Sequence, residues 1–335
     1  MVEVPVIDIG PLVGGAGSST ATARAIDAAC REAGFFYVVG HGIDPQVQSR
    51  LDALAREFFA LPEDEKAQIA MPKGGPAWRG WFPVGGELTS GVPDLKEGVY
   101  FGAELPAEHP RVEAGTPLHG PNLFPERPAE LRTVVLTYLD ELTRLGQAVL
   151  AGAAMGLGLE PSWFVDHLTA DPLILFRIFH YPPQPPAPEE DQWGVGEHTD
   201  YGLLTILAQD EHGGLQVRAP GGGWLDADPL PGSFVCNLGD MLERLTGGLY
   251  RSTPHRVRNT SGEERLSFPF FLDPSWDAVV DSLPIVDRPG DLDEGAAERW
   301  DRTSVHGFSG SYGDYVMAKV AKVFPDLAAG TVPEG

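Results

Sequence analysis

Apolar and polar positions along the chain follow two periods, one in each half. In the first half apolar residues recur every three to four positions. Ala25, Ile26, Ala29 and Cys30 predict a helix over about Thr20–Ala33, with Gly34 as its stop. Pro45–Ala60 repeats the pattern, and Leu61–Lys66 reads as a fresh helix start, with proline first and acids in the first turn. The longest stripe is Leu131, Val134, Val135, Tyr138, Leu142, Leu145 and Val149, predicting a helix from Glu126 to about Gly156. Trp163–Leu168 predicts a short helix. Val4–Ile9 and Phe35–Val39 are short apolar runs that predict strands, whereas Trp78–Gly86 reads as irregular. Asp94–Phe101 begins charged and turns strand-like.

From Leu173 onward the period drops to two. Leu173–Tyr181 alternates, placing Arg177, Phe179 and Tyr181 on one face. Leu203–Leu207 and Ser233–Asn237 read as strands. Gly214–Arg218 and Trp224–Asp226 flank a Pro-Gly-Gly-Gly turn, a hairpin signal. Leu238–Leu245 reads as a short helix, Leu249–Arg258 as extended, Arg265–Ser267 and Phe268–Leu272 as short strands, and Gly313–Val323 as a closing helix. Pro182–Glu190 and Pro284–Arg302 read as surface loops. Short, evenly spaced strands behind a helical first part predict a jelly roll, an α+β or mainly β architecture with flanking helices. We expect one domain over 1–335: an N-terminal region (1–125), scaffold helices (126–168), a jelly-roll core (169–280), and a C-terminal loop and helix (281–335).

Composition narrows the function. The 335 residues carry a net charge of −24, which disfavours nucleic acid and anionic membrane surfaces as partners. No apolar run is long enough to span a bilayer, and the N-terminus lacks the basic-then-apolar pattern of a secretory signal. Cys30 and Cys236 form no Cys-x-x-Cys pair and suggest no disulfide framework. A reducing, cytoplasmic setting is expected, as is a small-molecule substrate. The oligomeric state is left open; a monomer is compatible with the sequence.

The candidate chemistry centres on Glu197-His198-Thr199-Asp200-Tyr201. Of nine histidines, only His198 is followed two positions later by an acid. In a strand the two side chains share a face and Thr199 points away. A lone His-x-Asp also describes a strand-end histidine beside an exposed aspartate. The strand-like run after it, and the extended region around His255, favour a metal: two imidazoles and a carboxylate, from two strands, leaving positions open, suit non-haem Fe(II). Arg265 and Ser267 also share a face, and a guanidinium fork with a hydroxyl suits a carboxylate. Phe268, Phe270 and Phe271 follow, an apolar setting in which an arginine needs an anionic partner. His41, between glycines, reads as a turn or core residue, His167 as structural and His212 as exposed.

These stretches together resemble the isopenicillin N synthase-like family of Fe(II)- and 2-oxoglutarate-dependent dioxygenases. Val4–Asp8 and Gly34–Ile43 resemble its N-terminal region. Arg177–Pro183, His198-Thr199-Asp200, Asn237–Asp240, His255-Arg256-Val257 and Arg265-Leu266-Ser267 resemble its catalytic core. The resemblance implies a double-stranded β-helix, iron held by His198, Asp200 and His255, and O2 as oxidant. It also implies that Arg265 and Ser267 bind the distal carboxylate of 2-oxoglutarate, with a hydroxyl from Tyr181. Many relatives have Asn two residues before that tyrosine; here Phe179 stands there, so a co-substrate contact through such an Asn has no counterpart. Tyr100, Phe101, Phe179 and Phe271 are the candidate substrate contacts. Hydroxylation of a C–H bond, with release of succinate and CO2, is the expected reaction. Two other readings remain at this point: an iron oxidase whose Arg265 and Ser267 bind a substrate carboxylate, and a non-catalytic metal-binding or sensing barrel.

Overall fold

The computed structural model describes residues 4–14, 16–89, 91–183, 193–285 and 308–323. Strand β1 (Val6–Asp8) leads into helix α1 (Ser19–Glu32), whose N-terminus is capped by the Ser18 side chain accepting from the Ala21 N–H. Gly34, at φ +63°, turns the chain directly from that helix into β2 (Phe35–Val39). Helix α2 (Pro45–Phe59) starts at a proline behind the Asp44 cap. A short α3 (Glu63–Lys66) follows, then β3 (Gly80–Phe82), the small hairpin β4 (Leu88–Thr89) and β5 (Val92–Pro93), and β6 (Glu97–Gly102). The stretch read as irregular therefore contains a strand, with Trp81 facing Val99 across the ladder.

After α4 (Pro110–Glu113) comes α5 (Leu131–Gly156), about 39 Å long at 1.5 Å per residue. It begins at Leu131 rather than Glu126, because Pro128 biases Arg127 before it away from helical geometry. Its buried stripe includes Val135, Tyr138, Leu142, Leu145 and Val149. Gly146 lets it approach the sheet: a Cβ there would lie 3.2 Å from Leu272. Helix α6 (Trp163–His167) completes the scaffold.

The second half supplies β7 (Pro172–Tyr181), β8 (Val195–His198), β9 (Leu204–Gln209), β10 (Leu215–Arg218), β11 (Trp224–Asp226), β12 (Phe234–Leu238), α7 (Asp240–Leu245), β13 (His255–Val257), β14 (Arg265–Ser275) and α8 (Tyr312–Val323). The two runs predicted at 265–267 and 268–272 are one continuous strand. The predicted extended region at 249–258 narrows to the three residues of β13. The predicted loops over 182–190 and 284–302 lie largely outside the described residues.

Eight strands form one sheet in the order β1-β2-β12-β9-β14-β7-β6-β3, and four form a second, β11-β10-β13-β8. The N-terminal strands thus extend the larger sheet on both edges. Along β14, Leu266, Phe268, Phe270 and Leu272 are buried on the outer face, while Arg265, Ser267, Pro269, Phe271 and Asp273 line an interior cavity. The smaller sheet covers that cavity from the other side. This is a double-stranded β-helix, with α1, α2 and α5 packed together outside it.

Candidate functional site

His198 and His255 face each other as cross-strand partners in β8 and β13. Their ring centroids are 4.2 Å apart. Each ring has its Nδ1 against a backbone carbonyl two residues earlier: Gly196 O at 2.8 Å and Thr253 O at 3.1 Å. With the proton on Nδ1, the Nε2 lone pair is left for a metal. Burial, with His255 beside it, pushes the His198 imidazole down to about 4, which favours that neutral form.

Asp200 completes the group. Its Oδ1 lies 3.8 Å from Nε2 of both histidines, and one ligand atom from each of the three residues falls within 4.8 Å of the others. Its Oδ2 is held from behind by the Thr205 hydroxyl and by Asn237 Nδ2 at 2.6 Å. Burial alone would raise this carboxyl, but His255, His198 and those two hydrogen bonds keep it below the usual range. The expected strand does not continue through Asp200. It ends at His198, because the N-terminus of α7 takes the next carbonyls: Asp240 N–H donates to Asp200 O at 2.7 Å and Met241 N–H to Gly202 O at 3.1 Å. The turn still brings the carboxylate to the imidazoles. Two imidazoles and one carboxylate, aimed at one point beside a cavity, fit Fe(II) with open positions.

Across the cavity, Arg265 is fully buried and sits opposite Tyr181 in the β14–β7 ladder. Its Nε donates to Gly213 O and its Nη2 to Gln209 Oε1 at 3.1 Å, while its Nη1 is buried without a partner. Its Cζ lies 4.7 Å from the Tyr181 ring centroid, and Ser267 Oγ is 3.4 Å from the Tyr181 hydroxyl. A buried cation with an unmet donor beside two hydroxyls is a receptor for a carboxylate.

Tyr100, Phe179 and Phe271 line the cavity, together with Leu88, Leu175 and Val195. Phe101 does not. It lies on the opposite face of β6, fully buried, stacked on Phe124 at 5.1 Å and Phe176 at 6.2 Å. Side chains alternate along a strand, so Tyr100 and Phe101 cannot both face the cavity. His212 is half-buried rather than exposed, its N–H bonded to Asp210.

Sequence reading missed a buried charge cluster at one end of the cavity. Lys96 is 1% exposed and pairs with Glu87 at 2.8 Å and with Asp94. The only signal was the charge of Asp94 and Lys96 in a stretch that turns strand-like, and charge in such a place ordinarily marks surface. Burial raises the Asp94 carboxyl despite Lys96, and pushes the Asp273 carboxyl up to about 7 at the far end, where the Tyr312 hydroxyl donates to it at 2.6 Å. Asn237, in the Asn237–Asp240 stretch that resembles the family's catalytic core, holds Asp200.

A 2-His-1-carboxylate group inside a double-stranded β-helix, with a carboxylate receptor opposite, defines a non-haem iron oxygenase. Comparison with known proteins agrees. Residues 4–127 match the family model for the N-terminal region of non-haem dioxygenases in morphine synthesis, and residues 173–274 match that of the 2OG-Fe(II) oxygenase superfamily. The chain is 47% identical to a Dictyostelium discoideum protein assigned as an iron/ascorbate oxidoreductase, over 91% of this chain and 89% of that one. It is 38% identical to a homoarginine-6-hydroxylase of Arabidopsis thaliana, over 89% and 88%. A Neurospora crassa protein crystallised with 2-oxoglutarate and thymine superposes with a TM-score of 0.77 at 25% identity, over 95% and 96%. The chain belongs to the 2OG-Fe(II) oxygenase superfamily, and it is an oxidoreductase that uses Fe(II), 2-oxoglutarate and O2 on a small molecule.

Proposed function

We propose that this enzyme hydroxylates a C–H bond of a small organic molecule, with His198, Asp200 and His255 as the iron ligands. Arg265, Ser267 and Tyr181 bind the distal carboxylate of 2-oxoglutarate, and Tyr100, Phe179 and Phe271 hold the organic substrate. Iron with 2-oxoglutarate and O2 supplies oxidation of the C–H bond, with release of succinate and CO2. The protein's part is orientation and exclusion of water. His198 and His255 present Nε2 because their Nδ1 protons are engaged by backbone carbonyls. Asp200 presents Oδ1 because Oδ2 is occupied, and its charge offsets that of the metal. Arg265 fixes which way the oxo acid points. A cytoplasmic monomer is sufficient for this chemistry; among the described residues no helix is long and apolar enough to cross a membrane.

The observation that carries the assignment is the pairing of three converging ligand atoms with one buried, unpartnered guanidinium nitrogen on the facing strand. Anaerobic titration of Fe(II) and 2-oxoglutarate, followed by the weak visible charge-transfer band, tests it. The band is expected with the wild type and is lost in Asp200→Ala. Arg265→Ala is expected to weaken 2-oxoglutarate binding by about 2–5 kcal/mol. A wild type that binds iron yet shows neither band nor succinate release would overturn the assignment of Arg265 and Ser267 to the oxo acid.

A further inference from the structure

The cavity wall carries a second arginine that neither iron nor the oxo acid uses. Arg177 projects from β7 on the same face as Phe179 and Tyr181. It precedes Tyr181 by four residues, about 13 Å at roughly 3.3 Å per residue, which sets it apart from the Arg265 end. Its Cζ lies 4.3 Å from the Tyr100 ring centroid and 4.7 Å from that of Phe271. These rings hold the guanidinium in place without supplying a strong hydrogen-bond acceptor.

Its polar contacts are few for a group with five N–H donors. Nη1 makes one long contact, 3.5 Å to Glu87 Oε1, and Nε is buried without a partner. Glu87 is committed elsewhere: Lys96 lies 2.8 Å from its Oε2, and the Tyr100 hydroxyl donates to its Oε1. Lys96 is paired with Asp94 as well. The lysine is thus enclosed by two carboxylates, whereas the guanidinium beside them, which lines the cavity, has one long contact and a donor left without a partner. Leaving a buried donor unpaired is costly, so the missing acceptor is one that a ligand brings. A planar fork matches a planar carboxylate.

We propose that Arg177 anchors a carboxylate on the organic substrate, so that the enzyme acts on small carboxylic acids whose apolar body packs against Tyr100, Phe179 and Phe271. The word substrate rests on the oxygenase reading of the cavity; the anion site itself does not. Calorimetric titration of the anaerobic Fe(II)-loaded full chain, with and without 2-oxoglutarate, tests it using phenylacetate and hexanoate as probes against phenylacetamide and hexanamide. Both acids are expected to bind at least tenfold more tightly than their amides. Arg177→Met, which keeps the apolar stem, abolishes that preference and leaves 2-oxoglutarate affinity within twofold. Arg177→Lys keeps the charge and retains part of the preference, while Arg265→Met shows the opposite pattern, losing the oxo acid and keeping the acid preference. Equal binding of acids and amides by the wild type overturns the proposal, as does a preference that survives in Arg177→Met. It also falls if that variant loses 2-oxoglutarate as severely as Arg265→Met. Failure of the wild type to bind 2-oxoglutarate at all defeats the assignment of Arg265 instead, because the acid preference is read in its absence too.

Discussion

Three side chains converge here because each has its other polar atoms occupied. Asp200 is the clearest case. Asn237 and Thr205 take Oδ2, so Oδ1 is the oxygen turned toward the two imidazoles. Removing such a support costs metal affinity without removing a ligand. Asn237→Ala is therefore expected to weaken Fe(II) binding about 10- to 100-fold, read by anaerobic titration, with near-native folding by circular dichroism. Unchanged iron affinity would show that Thr205 alone orients the carboxylate. At this scale the sequence exposed the candidate ligands His198, Asp200 and His255, because residue type and the spacing of the first two are visible in one dimension. It did not expose Asn237, whose tie to Asp200 spans 37 positions.

Elements set those residues in place through a few tight junctions. Gly34, between α1 and β2, is one. A Cβ there would stand 2.1 Å from Arg251 O, at a φ of +63° that L side chains rarely adopt. The chain from Arg251 leads straight to His255, with Thr253 Oγ1 bonded to Ala33 O and the Phe35 ring 5.2 Å from the His255 ring. Gly34→Ala should lower stability by more than about 2 kcal/mol by denaturant unfolding and weaken Fe(II) binding as well. The outer side of β6 and β7 carries a second junction. Glu97 accepts from Lys66 at 2.7 Å and from Trp81 at 2.8 Å, and lies 2.9 Å from His180 Nδ1. Burial would raise this carboxyl, but those partners hold it below its usual range. A depressed carboxyl stabilises the fold at pH values above its unfolded pKa, about 4.3, and that contribution is lost as pH falls through the lower folded value. Glu97→Gln is expected to cost about 3 kcal/mol at pH 7 and to flatten the acid limb of the stability curve below about pH 4.3.

At the scale of the whole molecule, the cavity is closed by an element far from the ligands in sequence. Val316 and Val320 of α8 line it, and the helix is tied down by Tyr312 on Asp273 and by Tyr315 on Asp240 at 3.3 Å. Val316→Trp should fill the substrate side. A tenfold or greater rise in KM for the organic substrate is expected, with 2-oxoglutarate affinity unchanged. Equal loss of both would place α8 against the co-substrate instead.

The sequence by itself determined the periods, and with them most of the helices and strands and which residues of a strand share a face. It thereby determined that His198 and His255 lie in strand-like runs and that Arg265 and Ser267 point the same way, since alternation along a strand is a local property. It could not decide between Tyr100 and Phe101, because one-residue registers become meaningful only when a neighbouring strand and a helix layer define inside and outside. Nor could it reveal that Lys96, Glu87 and Asp94 are buried together, or that Arg177 lacks a full set of partners beside them. Those facts depend on which strands lie side by side, and long-range pairing is what the folded chain alone supplies.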